Sequence, residues 1–81
     1  MDQAFIGSIV LVGFNFAPQG WFLCNGQTLP IAQYQALFAL IGTTYGGNGT
    51  TTFALPKLNA GALQEGLNYM ICAMGIFPSR P

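Results

Sequence analysis

Cys24 and Cys72 are the strongest nucleophiles in this 81-residue chain, and nothing in the sequence stands ready to activate them. A thiol attacks as its thiolate, which needs a neighbouring base, a cation or a helix N-terminus to lower its pKa. The chain has no histidine, and its ionised side chains are only Asp2, Lys57, Glu65 and Arg80. General acid–base chemistry requires a titratable group poised near the working pH beside a partner. Two carboxylates and no histidine leave that chemistry without its parts, so no catalytic, metal-binding or cofactor-binding residue is expected, and the chain reads as a non-enzyme. The cysteines keep two other readings. They form a disulfide, as would suit an extracellular particle, or they are buried free thiols that behave as small apolar side chains.

The glycine-rich run GTTYGGNG, Gly42 to Gly49, has the look of a phosphate loop without its working end. It lacks the Gly-Lys-Ser/Thr ending, and it follows a helical pattern where a phosphate loop precedes one. It reads instead as a surface loop presenting Tyr45 and the threonine row Thr50-Thr51-Thr52. A glycan site built from Tyr45, Asn48 and Trp21 is the rival use of this region.

Composition sets the partner class. Hydrophobic residues make up 52% of the chain and charged residues 5%, with a formal net charge of zero; an ordinary soluble domain carries about a quarter charged residues. A chain of this length supports one domain, here 1–81, and lies near the lower limit for an independent core. The apolar surplus must be covered by lipid or by protein. Membrane insertion is not expected: a spanning helix needs about twenty apolar residues, and Ile31 to Gly42 is short and interrupted by Gln33, Tyr34 and Gln35. Met1-Asp2-Gln3 carries no basic region, so no signal peptide is expected either. Two basic residues cannot build a phosphate-tracking patch, which excludes a nucleic-acid partner. Protein–protein burial remains, and a neutral chain does not repel a second copy of itself.

The elements follow from pattern. Phe5 to Val12 reads as a strand without polar alternation, predicting cover on both faces. Trp21 to Cys24, the pair Asn25-Gly26 and Gln27 to Leu29 read as a hairpin, since both turn positions tolerate positive φ. From Ala32 to Ile41, Tyr34, Leu37, Phe38 and Ile41 fall at helical spacing, and Gly42 closes the helix. Phe53 to Pro56 is short and extended, with Thr51 and Thr52 adding to an edge strand. Lys57 to Gly66 is a polar connection, and Leu67 to Phe77 is the final strand, apolar on both faces. The expected fold is α+β: a small single domain of a few β-strands, one hairpin and one short α-helix. Trp21, Phe22, Phe38 and Phe53 are its candidate aromatic core.

Four segments in this order resemble the phage tail-collar family and its microcystin-dependent-protein relatives. They are Gly13 to Ile31 (GFNFAPQGWFLCNGQTLPI), Gln35 to Gly49 (QALFALIGTTYGGNG), Thr51 to Pro56 (TTFALP) and the ending from Leu67 to Arg80. The resemblance implies a small α+β module at fibre and baseplate tips, generally within homo-oligomers. Longer members carry an insert with a histidine-containing motif between the leucine-proline motif and the final strand; here only Lys57 to Gly66 stands there. The receptor-binding head, and any metal role tied to it, is therefore not expected. Relatives also place charges near the first strand, where this chain has Ser8 and Val10, and around Asn48 and Pro56-Lys57-Leu58-Asn59. Loss of charge is what a surface needs if it is to be desolvated, because an unpaired buried charge costs several kcal/mol.

The resulting expectation is a structural, self-assembling subunit of a phage-tail-like or extracellular fibre or oligomer, acting through contacts with copies of itself. Its location would be extracellular or virion-associated. The rival is a host-surface or carbohydrate-binding module at a fibre tip. The candidate assembly contacts are Val10, Phe14, Phe16, Tyr45, Ile71 and Phe77, with either terminal strand, Ile6 to Val12 or Leu67 to Ile76, adding to a neighbour's sheet.

Overall fold

The computed structural model describes residues 4–59 and 66–79. They form five short strands in two antiparallel sheets, with one helix between strands three and four. The strands are β1 (Ile9–Val12), β2 (Trp21–Leu23), β3 (Thr28–Pro30), β4 (Thr52–Ala54) and β5 (Asn68–Cys72). The helix α1 spans Gln35–Ile41 and is preceded by a single 3-10 turn, Ile31–Gln33. The fold is thus α+β. The larger sheet has the order β1-β5-β2, and the smaller pairs β3 with β4.

The last strand of the sequence is the middle strand of its sheet. β5 pairs Ile9 with Ile71 and Leu11 with Tyr69 on one side, and Trp21 with Cys72 and Phe22 with Ile71 on the other. Side chains alternate across a strand, so Ile71 and Phe22 enter one cluster with Leu37, Phe53 and Leu55. Met70 and Cys72 enter a second cluster with Trp21, against which Val10, Val12 and Ala17 pack. Both faces of β5 are covered, as its apolar pattern predicts. Burial of side chains such as Phe53, Leu37 and Met70 contributes about 1.5–3 kcal/mol each, and all three are fully buried.

The hairpin expected at Asn25-Gly26 does not form. β2 pairs with β5, whereas β3 pairs with β4, so the chain crosses from one sheet to the other at this dipeptide. Gly26 does take positive φ, 80°, but its N–H donates to Pro56 O rather than closing a turn. The local turn signal is real; the strands on either side find deeper partners elsewhere. β1 also departs from expectation, because one of its faces is only partly covered: Ile9 and Leu11 remain 39% and 46% exposed. They share the face of Ile71 and Tyr69 but lie at the sheet margin, where the core runs out. β5 ends at Cys72 instead of Phe77. Beyond it, Ala73 and Met74 both donate their N–H to Gly20 O, a bulge that bends the strand.

The helix is shorter than its periodicity. Tyr34 sits at φ −132° and ψ 46°, separating the 3-10 turn from α1. Leu37 is its buried residue, and Gly42, at φ 56°, caps the end by donating to Phe38 O. The connection from Lys57 to Gly66 lies partly outside the described residues. No helix among the described residues is long and apolar enough to cross a membrane.

One glycine fixes how closely the loop approaches the second sheet. A Cβ at Gly47 would stand 2.3 Å from Phe53 Cα and 2.7 Å from Thr52 O, on a residue already at φ 92°. Gly47→Ala should therefore lose about 2–4 kcal/mol, combining overpacking with left-handed strain. Gly13, with nothing within 4 Å of its would-be Cβ, supplies the control: Gly13→Ala should stay within about 0.5 kcal/mol of the parent in urea unfolding.

Candidate functional site: the β1 margin and its loops

Gly7 sets the register of β1. Its N–H donates to Cys72 O, while Cys72 N–H donates to Ser8 O at 2.9 Å, so two residues oppose one. Gly7 lies at φ 88°, the conformation this kind of bulge needs. Beyond it the antiparallel alternation is regular. Ser8 O and the backbone groups of Val10 and Val12 face β5, Ser8 N–H donating to Phe5 O, and Ile9 and Leu11 direct theirs outward. Among the described residues, no hydrogen bond reaches the backbone of Ile9 or Leu11.

The opposite margin is partly closed: Trp21 O and Leu23 N–H have no partner among the described residues, but the other two outward groups of β2 do. Leu23 O accepts from Asn25 N–H and from Gln27 Nε2, and Trp21 N–H donates to Pro18 O. Past the end of β2 a side chain continues the pairing: Asn59 Nδ2 donates to Tyr69 O at 2.9 Å, and Tyr69 N–H donates to Asn59 Oδ1 at 2.6 Å. Asn59 Nδ2 also reaches Asn25 Oδ1. Tyr69 O also accepts from Cys24 N–H, so the carboxamide adds to that backbone bond and supplies the acceptor for Tyr69 N–H. Asn59 was not singled out from sequence, since a polar residue after Pro-Lys-Leu reads as ordinary loop.

Apolar side chains are exposed along the open margin and at both of its ends. Phe14 and Phe16 follow β1 and pack on each other with ring centroids 4.8 Å apart. Asn68 Nδ2 holds their loop by donating to Phe14 O. At the other end Phe5 bridges to Ile76; both are exposed, as are Met74 and Phe77. Phe5, Ile9, Leu11, Met74 and Ile76 were missed as surface residues, because an apolar residue in a strand pattern carries no mark of the edge. Lys57 is the charged residue among those described, and the run from Gln3 to Pro56 has none.

The sequence-derived contacts fall into separate places. Phe14, Phe16, Tyr45 and Phe77 are exposed, and Val10 is half-buried against the Trp21 cluster. Ile71 is fully buried, and β5 has both edges paired. The reading of Ile71 as a contact, and of Leu67 to Ile76 as an open edge, is therefore corrected: the final strand is central because β1 and β2 flank it.

The loop from Thr43 to Thr52 is held by its own bonds. Asn48 Oδ1 accepts from the N–H groups of Thr50, Thr51 and Thr52, and Asn48 Nδ2 donates to Thr51 Oγ1. Trp21 is buried. Of the three groups offered to a glycan, Tyr45 alone is exposed with its side chain free of such bonds.

Cys24 and Cys72 are free thiols, both fully buried; the disulfide reading is corrected in favour of its alternative. Burial pushes the Cys24 thiol up to about 11 and raises Cys72 also.

A family model described as the phage tail collar domain matches residues 7–63, more than half of the chain. The chain belongs to the phage tail collar domain family. No curated protein matches it. The collar family suggests a structural role in a phage tail and a virion-associated protein, and it is not known as a family of enzymes. The match begins at the Gly7 bulge and extends past Asn59, so it includes the open margin and the partly closed one. The collar chain is consistent with a minimal member of its family.

Two outcomes follow from this geometry. Asn59→Ala should destabilise the collar chain by about 1–3 kcal/mol in urea unfolding, because Tyr69 loses both side-chain partners. A thiol-specific reagent at neutral pH should label neither cysteine in the folded protein and both in denaturant. Cys24 has a folded pKa above its ordinary value of 9.0. Its contribution to stability is therefore full below pH 9 and is lost as pH rises through about 11, which alkaline unfolding would register.

Proposed function

We propose that the collar chain is a structural subunit that assembles with copies of itself in a phage-tail-like fibre or oligomer. The observation that carries this reading is the uncharged margin of β1, where Phe5, Ile9, Leu11, Phe14 and Phe16 are exposed in one continuous stretch of sequence. An apolar surface of this kind on a small protein calls for a partner. A second copy suits it in charge, since each would present the same neutral segment and leave no unpaired charge to be desolvated. The closed Asn48 loop and the buried Trp21 favour this reading over a carbohydrate-binding tip.

Light scattering and negative-stain electron microscopy test the proposal together. Oligomers or filaments of uniform width are expected. A folded monomer at all accessible concentrations would end the homotypic reading and return attention to Tyr45 as a ligand contact. Phe14→Asp should keep the far-ultraviolet spectrum of the parent while weakening association at least tenfold, about 1.4 kcal/mol.

A further inference from the structure

We infer that two collar chains pair through β1 itself, antiparallel about a two-fold axis at Val10, so that two three-stranded sheets become one of six strands. The inference rests on the homotypic reading above and names its contact. The two edges of the larger sheet differ. At β2 the outward Trp21 N–H and Leu23 O have partners within the chain while Trp21 O and Leu23 N–H have none; at β1, among the described residues, none of the outward groups of Ile9 and Leu11 has one. A strand edge left in this state is a template for another strand. Within its four residues β1 carries neither a proline nor a charge to block such pairing, and the bulge at Gly7 lies before the strand rather than within it.

Parity selects the register. Backbone groups that point outward must meet groups that point outward on the partner, so Ile9 and Leu11 can pair only with Ile9 or Leu11, or with Gly13 beyond the strand. Pairing Ile9 with the partner's Leu11 places Val10 opposite the partner's Val10 and sets each exposed large side chain against another. Moving the axis to Leu11 would set Ile9 against Gly13, which has no side chain to cover it. In the Val10 register the contact is isologous: the same segment serves on both subunits, as a two-fold dimer requires.

Charge fits a second copy. The formal net charge is zero and the segment from Gln3 to Pro56 is uncharged, so a charged partner would gain no counter-charge here.

Amide hydrogen exchange by NMR on the unaltered protein, measured across a dilution series, reads the contact directly. The N–H groups of Ile9 and Leu11 should gain at least tenfold protection as the oligomer forms, while Val10, already bonded to β5, changes least. Oxidative cross-linking with glutathione disulfide then reads the register. Val10→Cys should form a covalent dimer at least tenfold faster than Ile9→Cys or Leu11→Cys, because the non-hydrogen-bonded pair brings Cα atoms to about 4.5 Å. The unaltered protein, with buried thiols, is the control, and circular dichroism checks that each variant is folded. Oligomers by light scattering with no gain in protection at Ile9 and Leu11 would overturn the edge pairing and leave homotypic assembly standing through another surface. Fastest cross-linking by Leu11→Cys would overturn the register. A monomer in scattering removes both the pairing and the reading beneath it.

Discussion

The hydrogen bonding of β5 on both edges is the constraint from which the rest of this structure follows. The strand is five residues long, yet it joins the two ends of the sequence, receives β1 and β2, and divides the core into two clusters. Met70, Ile71 and Cys72 are fully buried because both faces and both edges of β5 are covered along this half of the strand, whereas Asn68 and Tyr69 are partly exposed. Each flanking strand then keeps one edge free of β5, and the two are treated differently. β2 is partly closed, Pro18 engaging Trp21 N–H and Asn25 and Gln27 engaging Leu23 O, with Asn59 bonded to Tyr69 beyond it. β1 is left open.

That asymmetry is where a small core becomes a property of the surface. A chain of this size cannot enclose all its apolar side chains, and with so few charges it has little else to place outside. Much of the exposed remainder lies along one margin and its ends, with Phe5 and Ile76 at one end, Ile9 and Leu11 along the strand, and the tilted pair Phe14 and Phe16 at the other; Leu40, Tyr45 and Leu58 are exposed elsewhere. The glycine loop, in contrast, is closed by Asn48, whose carboxamide makes four hydrogen bonds to Thr50, Thr51 and Thr52. Polar groups that look available in sequence are thus occupied, and apolar groups that look buried are exposed. A structural role of the collar kind suits this arrangement, because contact between subunits needs apolar surface and backbone donors more than reactive side chains.

Much of the fold was legible in the residues. Fully apolar strands at both ends, a helix closed by Gly42, and the turn-forming character of Asn25-Gly26 and Asn48-Gly49 are local properties, set by side-chain periodicity and by φ preference. That the chain has no histidine and two carboxylates was equally plain, since composition needs no geometry. The errors share one cause. A hairpin between β2 and β3, an open edge at β5 and a contact at Ile71 are all statements about which strands are neighbours.

The sequence by itself determined the class of this protein: a neutral, apolar α+β chain with no histidine, whose ordered motifs resemble the tail-collar family. It determined also that both cysteines lack an activating base. Only the tertiary structure decided that the last strand is the central one, that β2 and β3 belong to different sheets, that Cys24 and Cys72 stay apart as buried thiols, and that β1 keeps the open edge. The reason is physical. Local preference is written in neighbouring residues, whereas strand order depends on which distant surfaces bury each other best, and a side chain such as Ile9 is identical in sequence whether its strand lies at the centre of a sheet or at its margin.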